Sequence, residues 1–290
     1  MKIRKLFLSI YKKTVKFVSK YRIKNFFLVR IAHSFLLRFL VQPLKYNSVE
    51  IGGQKMFLDE KDSLSLSIWG TFEEFETEIV KKEIKAGDVV LDIGANIGYY
   101  TLIFAKLVGE SGKVFAFEPD PVNFSLLKKN IEANGYKNVV LIQKAVSNKN
   151  EKLKLYLCEE NRGDHRIYDS HDNRQSVEVE AIRLEDYFKD YGGKIDFIKM
   201  DIQGAEGGAT QGMFSLLQKN QVKIITEFWP MGLKKFGINP EKYLKSLTEA
   251  GFKIYEVEER KKKITPTSIS KLLKTYPPDK DVHTNLLFIK

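Results

Sequence analysis

The sequence predicts an α/β fold, a mostly parallel sheet closed by an antiparallel pair, preceded by a basic helical arm. Three observations carry this. From residue 87 onward, short apolar runs alternate with helical periods, the pattern of βαβ units. The first such run, "DVVLD", enters a turn bearing Gly94 and Gly98 and then another helical period. The formal charge of +11 sits at one end: twelve of the 48 Lys and Arg lie in residues 1–45, where there is no acid, leaving 36 basic against 37 acidic residues.

In the arm, residues 1–45, cations alternate with Ile3, Leu6, Phe7, Ile10, Phe17, Val18 and Tyr21 and then with Phe26 to Leu37. Spacings of three and four indicate one or two amphipathic helices. Arg30 and Arg38 interrupt every apolar run short of the ~18 residues that would span a bilayer. Lys12, Lys13 and Lys16 break the stretch a secretory signal would need. Two readings stand: a helix lying on an anionic membrane surface, or a cap on the body with a solvated basic face. Cys158 is the only cysteine, so no intrachain disulfide forms and a cytoplasmic setting is expected, with peripheral contact at the membrane's cytoplasmic face.

Residues 46–290 form the second domain. Its first part, 46–87, holds a strand pair around "VEIGGQKMFLD" and an acid-rich helix from Glu73 to Lys85, ended by Ala86-Gly87. "DVVLD" is the first sheet strand and Ile97 to Leu107 the first crossover helix. "KVFAFE" (113–118) follows, then a helix with Pro121 near its start and Asn134-Gly135 at its end. "NVVLI" (138–142) is a strand; "KLKLYL" (152–157) and "SVEVEAI" (176–182) read as further strands around a polar loop. "IDFIKMD" (195–201) is continuously apolar, as a buried parallel strand requires. A helix from Ala205 to Lys219 leads to "VKIITEF" (222–228), and Asn239-Pro240 opens a helix that Gly251 ends. "FKIYEVE" and "NLLFIK" close the sheet as an antiparallel pair, and the insert 259–284 between them is a flap or rim.

The glycine turn excludes two cofactors. A dinucleotide fingerprint needs glycine at the first, third and sixth positions, and here these are Gly94, Asn96 and Tyr99. A phosphate loop fails at Gly112-Lys113, which lacks the first glycine and the following Ser or Thr. Asp92-x-Gly94-x-Asn96-x-Gly98 remains, and it resembles the first motif of class I S-adenosylmethionine-dependent methyltransferases, with Asn in the central glycine position. A strand-end acid suits an amino-acid ammonium. Glu118, 20 residues after Gly98, suits a ribose diol. The expected donor is therefore S-adenosylmethionine.

Together with "FAFEPDPVNFSLLKKNI", "KAVSN" and "IDFIKMDIQGAE", the turn makes residues 50 to 290 similar to the FkbM family of methyltransferases. The resemblance implies a Rossmann-like class I methyltransferase fold, a mostly parallel seven-stranded sheet with an antiparallel last strand, and O-methylation, typically of sugar hydroxyls. It points to donor contacts at Pro119, after Glu118, and at Ala145 and Val146, where such enzymes meet the adenine. It also points to Glu73, an acid that FkbM-like sequences carry ahead of the motif core.

Asp201 ends a buried strand, and three chemistries suit it: base toward the acceptor hydroxyl, partner of the donor ammonium, or ligand of a divalent cation. Glu206 either orients the acceptor or stabilises the next helix. His165, in the polar loop, is a candidate base. Arg166, Glu227, Trp229 and His283 are candidate acceptor contacts, and Glu227 joins Asp201 if a metal is bound. The expected partner is a sugar-bearing acceptor, a glycan, glycolipid or lipid-linked oligosaccharide. An RNA methyltransferase is the rival, disfavoured because the positive charge lies outside the body and no N-P-P-[YFW] tetrapeptide occurs. A non-catalytic donor-binding scaffold is the third reading.

Overall fold

The computed structural model describes residues 47–290, so the arm's helices and its expected membrane contact lie outside the described residues. Contacts divide the chain into two units between Phe72 and Glu73. Strands β1 (Ser48–Ile51) and β2 (Gln54–Phe57) pair antiparallel. Gly52 and Gly53 both take positive φ between them, a hairpin turn that glycine adopts without strain. The short helix α1 (Leu66–Trp69) is capped by Asp62, whose carboxylate accepts the Leu66 and Ser67 N–H groups.

In the second unit, helix α2 (Glu74–Glu83) leads to β3 (Val89–Ile93), α3 (Tyr99–Val108), β4 (Lys113–Phe117), α4 (Pro121–Ala133) and β5 (Val139–Ile142). Asp120 caps α4 through the Asn123 N–H, with Pro121 in the first turn. Strand β6 (Ala145–Val146), β7 (Glu151–Tyr156) and β8 (Ser176–Ile182) form a separate three-stranded sheet instead of extending the main one. Their alternating polar and apolar residues suit a sheet wet on one face, not a strand buried on both.

After helix α5 (Leu184–Tyr187) comes β9 (Phe197–Met200). The helix expected from Ala205 to Lys219 is broken into α6 (Glu206–Gln211) and α7 (Phe214–Lys219). A Cβ at Gly212 would lie 2.1 Å from the Ser147 carbonyl oxygen, and the Gly212 carbonyl accepts the Glu185 N–H. Strand β10 (Lys223–Phe228), α8 (Pro230–Lys235), α9 (Pro240–Glu249), β11 (Lys253–Glu258), β12 (Lys263–Pro266), α10 (Ile269–Thr275) and β13 (Thr284–Ile289) complete the chain.

The main sheet has the order β12-β11-β13-β10-β9-β3-β4-β5. From β10 to β5 every neighbour is parallel, and β13 inserts antiparallel between β10 and β11. The seven expected strands are there; β12, an eighth, comes from the 259–284 insert and pairs at the sheet's edge, while α10 packs its Leu272 into the core. Phe115, Phe117, Phe197, Ile198, Ile224 and Phe228 are buried between the helix layers. The carboxyl ends of β4, β3, β9 and β10 thus lie side by side, and four acids sit on or just after them: Glu118, Asp92, Asp201 and Glu227.

Candidate active site

The turn after β3 is shaped by its neighbours. Gly94 has φ +83°, and a Cβ there would lie 2.0 Å from the Asp201 carbonyl oxygen. Gly98 has φ +94°, and a Cβ would meet Leu127 at 2.7 Å. These two glycines let chain pack on chain. Asn96 also takes positive φ, which Asn tolerates better than most residues. Its Oδ1 accepts the Ile97 N–H and its Nδ2 donates to the Arg162 carbonyl. Its own N–H donates 2.8 Å to Glu118 Oε2, while Glu118 Oε1 accepts the Asp120 N–H at 2.9 Å. Burial pushes the Glu118 carboxyl up to about 8 against the pull of those donors. Pro119 is half-buried between the two acids.

Asp92 is buried. Its Oδ2 accepts from the Thr101 hydroxyl and its Oδ1 has no hydrogen-bond partner. Burial lifts it to about 6, and Lys199 and Thr101 oppose the rise. An orphaned carboxylate oxygen at the strand end and a second carboxylate aligned by the loop fit an amino-acid ammonium and a ribose diol. Ala145 and Val146 are packed in hydrophobic clusters, so what they offer an adenine is backbone and a wall rather than a polar group.

At the next strand ends, Asp201 is half-buried, its Oδ1 accepting from Gln203 Nε2 at 2.8 Å and its Oδ2 lying 3.5 Å from Lys199 Nζ. The same Gln203 amide reaches Glu227 Oε2 at 3.4 Å. Glu206 is fully buried; its Oε1 accepts the Ile202 and Gly204 N–H groups and its Oε2 has no partner. Burial raises Glu206 to about 7 and lifts Glu227 well above the ordinary carboxylate range, with Asp201 and Glu206 adding repulsion there. One oxygen each of Asp201, Glu206 and Glu227 can be chosen so that all three lie within 4.8 Å of one another.

Two residues that sequence reasoning passed over complete the cluster. Lys199, buried and 4.7 Å above the Tyr100 ring, is the cation among these acids. Burial pulls its pKa down, but Asp201, Glu76, Glu73 and Asp92 together raise it. It pairs across the ladder with Asp92 and lies two residues before Asp201, so strand alternation alone could have found it. Glu76 is buried and accepts from Asn285 Nδ2, and burial with the charge of Glu73 raises it strongly. Glu73, half-buried, accepts from the Tyr100 hydroxyl and from Asn285, and burial raises it too.

The polar loop contributes unevenly. His165 Nδ1 accepts the Cys158 N–H, and its Nε2 faces Asp120 Oδ2 at 3.7 Å, so His165 groups with Asp120 and Arg162 beside the Glu118 end. Arg166 pairs with Asp164 and stacks 4.8 Å from the Trp229 ring, while Trp229 Nε1 donates to Asp281. These two candidate acceptor contacts are therefore brought together. His283 is exposed just ahead of β13, and Asn285, two residues on, is the one that reaches the acids.

A family model described as the methyltransferase FkbM domain matches residues 92–254. Methyltransferase 1 of Beauveria bassiana (strain ARSEF 2860) is 25% identical over 169 residues, 48% of this chain and 68% of that protein. A protein-L-isoaspartate O-methyltransferase of Methanococcoides burtonii is 38% identical over 60 residues, 21% of this chain and only 30% of the relative's length. Among solved structures, methyltransferase FkbM from Methylobacillus flagellatus KT is 14% identical with a TM-score of 0.43, covering 79% of this chain and 52% of that one. A SAM-dependent O-methyltransferase from Thermotoga maritima is likewise 14% identical, with a TM-score of 0.42 and coverage of 84% and 77%. No helix among the described residues is long and apolar enough to cross a membrane.

Proposed function

The chain belongs to the FkbM family of S-adenosylmethionine-dependent methyltransferases, and from that premise we propose that it methylates a hydroxyl oxygen of a sugar in a glycan, glycolipid or lipid-linked oligosaccharide. The donor supplies an electrophilic methyl group, and the chain's task is to present a hydroxyl in line with it and to take up the proton. Asp92 and Glu118 are the donor's ammonium and ribose partners in this reading.

The observation that carries the acceptor half is the grouping of Asp201 and Glu227, at adjacent strand ends, with Glu206 at the start of α6. Asp201 is the half-buried member, and we assign it to orient the hydroxyl and receive its proton. Trp229, two residues after Glu227, and Arg166, stacked 4.8 Å from its ring, are assigned as the aromatic and hydrogen-bonding contacts of a sugar ring. A near-neutral body favours such an acceptor over nucleic acid.

Incubation with methyl-labelled S-adenosylmethionine and fractionated cell extract tests the reading directly. Label entering glycan or glycolipid supports it, and label entering only RNA or protein ends it. The basic arm, residues 1–45, is proposed to hold the enzyme on the cytoplasmic membrane face where lipid-linked acceptors are built. Full-length protein should float with anionic liposomes and an arm-deleted variant should not; equal flotation ends that part of the proposal.

A further inference from the structure

We propose that Asp201, Glu206 and Glu227 together form a binding site for one divalent cation of the oxygen-preferring class, such as Mg²⁺ or Mn²⁺. The three residues arrive from the end of β9, the start of α6 and the end of β10, and a chosen oxygen from each lies within 4.8 Å of the others. Metal–oxygen distances of about 2.0–2.6 Å place ligand oxygens roughly 3–5 Å apart around one ion. The trio thus has the dimensions of a coordination shell.

A separate observation points to a missing ligand. Glu206 is fully buried, and its Oε1 already accepts the two turn N–H groups of Ile202 and Gly204. Its Oε2 has no solvent and no hydrogen-bond partner. A buried carboxylate oxygen left in that state is costly unless a group from outside the chain meets it. Lys199 does not do so: its ammonium lies 3.5 Å from Asp201 Oδ2, on the side shared with Asp92, Glu73 and Glu76.

The Gln203 side chain completes the picture. Its NH₂ group donates to Asp201 Oδ1 and reaches Glu227 Oε2, so the positive end of an amide dipole bridges two of the three acids. A second inference about role rests on the O-methyltransfer reading above: a cation held here polarises the acceptor hydroxyl and eases loss of its proton.

The test uses the full-length chain stripped with a chelator and titrated with Mn²⁺, with free Mn²⁺ followed by electron paramagnetic resonance. One equivalent should bind. Glu227→Gln and Glu206→Gln, which keep an acceptor oxygen but lose the charge, should each weaken binding by about tenfold or more. Glu118→Gln, at the other end of the site, should leave Mn²⁺ affinity unchanged and lower S-adenosylmethionine affinity. If Glu206→Gln fails to fold, Glu227→Gln decides. The proposal is overturned if no Mn²⁺ is retained at millimolar concentration, or if the folded variants bind it as the parent does. The outcomes separate from those of the enzymatic reading: methyl transfer by chelator-stripped protein that binds no Mn²⁺ removes the cation and leaves the methyltransferase. Mn²⁺ binding as described without any S-adenosylmethionine binding does the reverse.

Discussion

The two ends of the site use the same kind of residue under opposite conditions. At the β3–β4 end, Glu118 is held by two backbone N–H groups and Asp92 by a threonine hydroxyl. At the β9–β10 end, Asp201, Glu206 and Glu227 face one another, with Glu73 and Glu76 close enough to add their repulsion and Lys199 as the offsetting cation. The first end is a shape fixed by the chain's own donors, with one Asp92 oxygen left unmet. The second gathers more acids than cations, and burial raises its glutamates, so it favours whatever brings a positive charge.

Breaking the second end should have the largest effect. Asp201→Asn should lower single-turnover methyl transfer by about 10²–10⁴-fold, the usual contribution of a positioned base. Calorimetric affinity for S-adenosylmethionine should stay within a few-fold, and an unchanged rate would remove Asp201 from the chemistry. Lys199→Met leaves buried carboxylates without their cation and should cost about 3–5 kcal/mol of stability in urea denaturation. A variant as stable as the parent would show that the acids are neutral in the folded protein.

At the donor end the effect should be smaller and should fall on binding. Glu118→Ala removes the ribose acceptor and strands two N–H groups, so donor affinity should drop by about tenfold to a hundredfold, roughly 1.4–3 kcal/mol. Calorimetry reads this directly. The smallest effect sharpens the comparison through pH. Burial holds Glu118 at about 8 and Glu206 at about 7, above the ordinary value of about 4.3 in an unfolded chain. The folded state therefore binds more protons than the unfolded one in that window, and this share of stability, fully present below about pH 4, is lost as pH rises through 7 and 8. The urea midpoint should fall from pH 5 to 8.5, and Glu118→Gln should flatten the upper part of that decline. A midpoint that rises with pH would mean both groups are held as anions.

The β3–β4 end was legible in the sequence, as a shape, because its parts are local. Asp92, Gly94, Asn96 and Gly98 lie on one turn, and Glu118 ends the adjacent parallel strand, so chain order and strand register suffice. The β9–β10 end was legible only as strand ends. Its wiring depends on contacts no local pattern encodes: Asn285 of β13 meeting Glu76 of α2, or the Gln203 amide bridging Asp201 and Glu227. His165 illustrates the same limit, since a histidine in a polar loop looks the same whether it meets Asp120 or Asp201. The sheet was legible from its apolar runs, whereas the break between α6 and α7 depended on the Ser147 carbonyl, more than sixty residues away in the chain.

One contact gives the molecule a constraint on redesign. The absent side chain of Gly94 leaves space that the Asp201 carbonyl fills, so the glycine turn and the end of β9 share a wall. Anyone seeking a new acceptor can vary Trp229, Arg166 or the polar loop while that wall stands. A change at Gly94 itself would shift both strand ends at once, so on the proposed reading altered preference for acceptor could not be had without altered placement of donor.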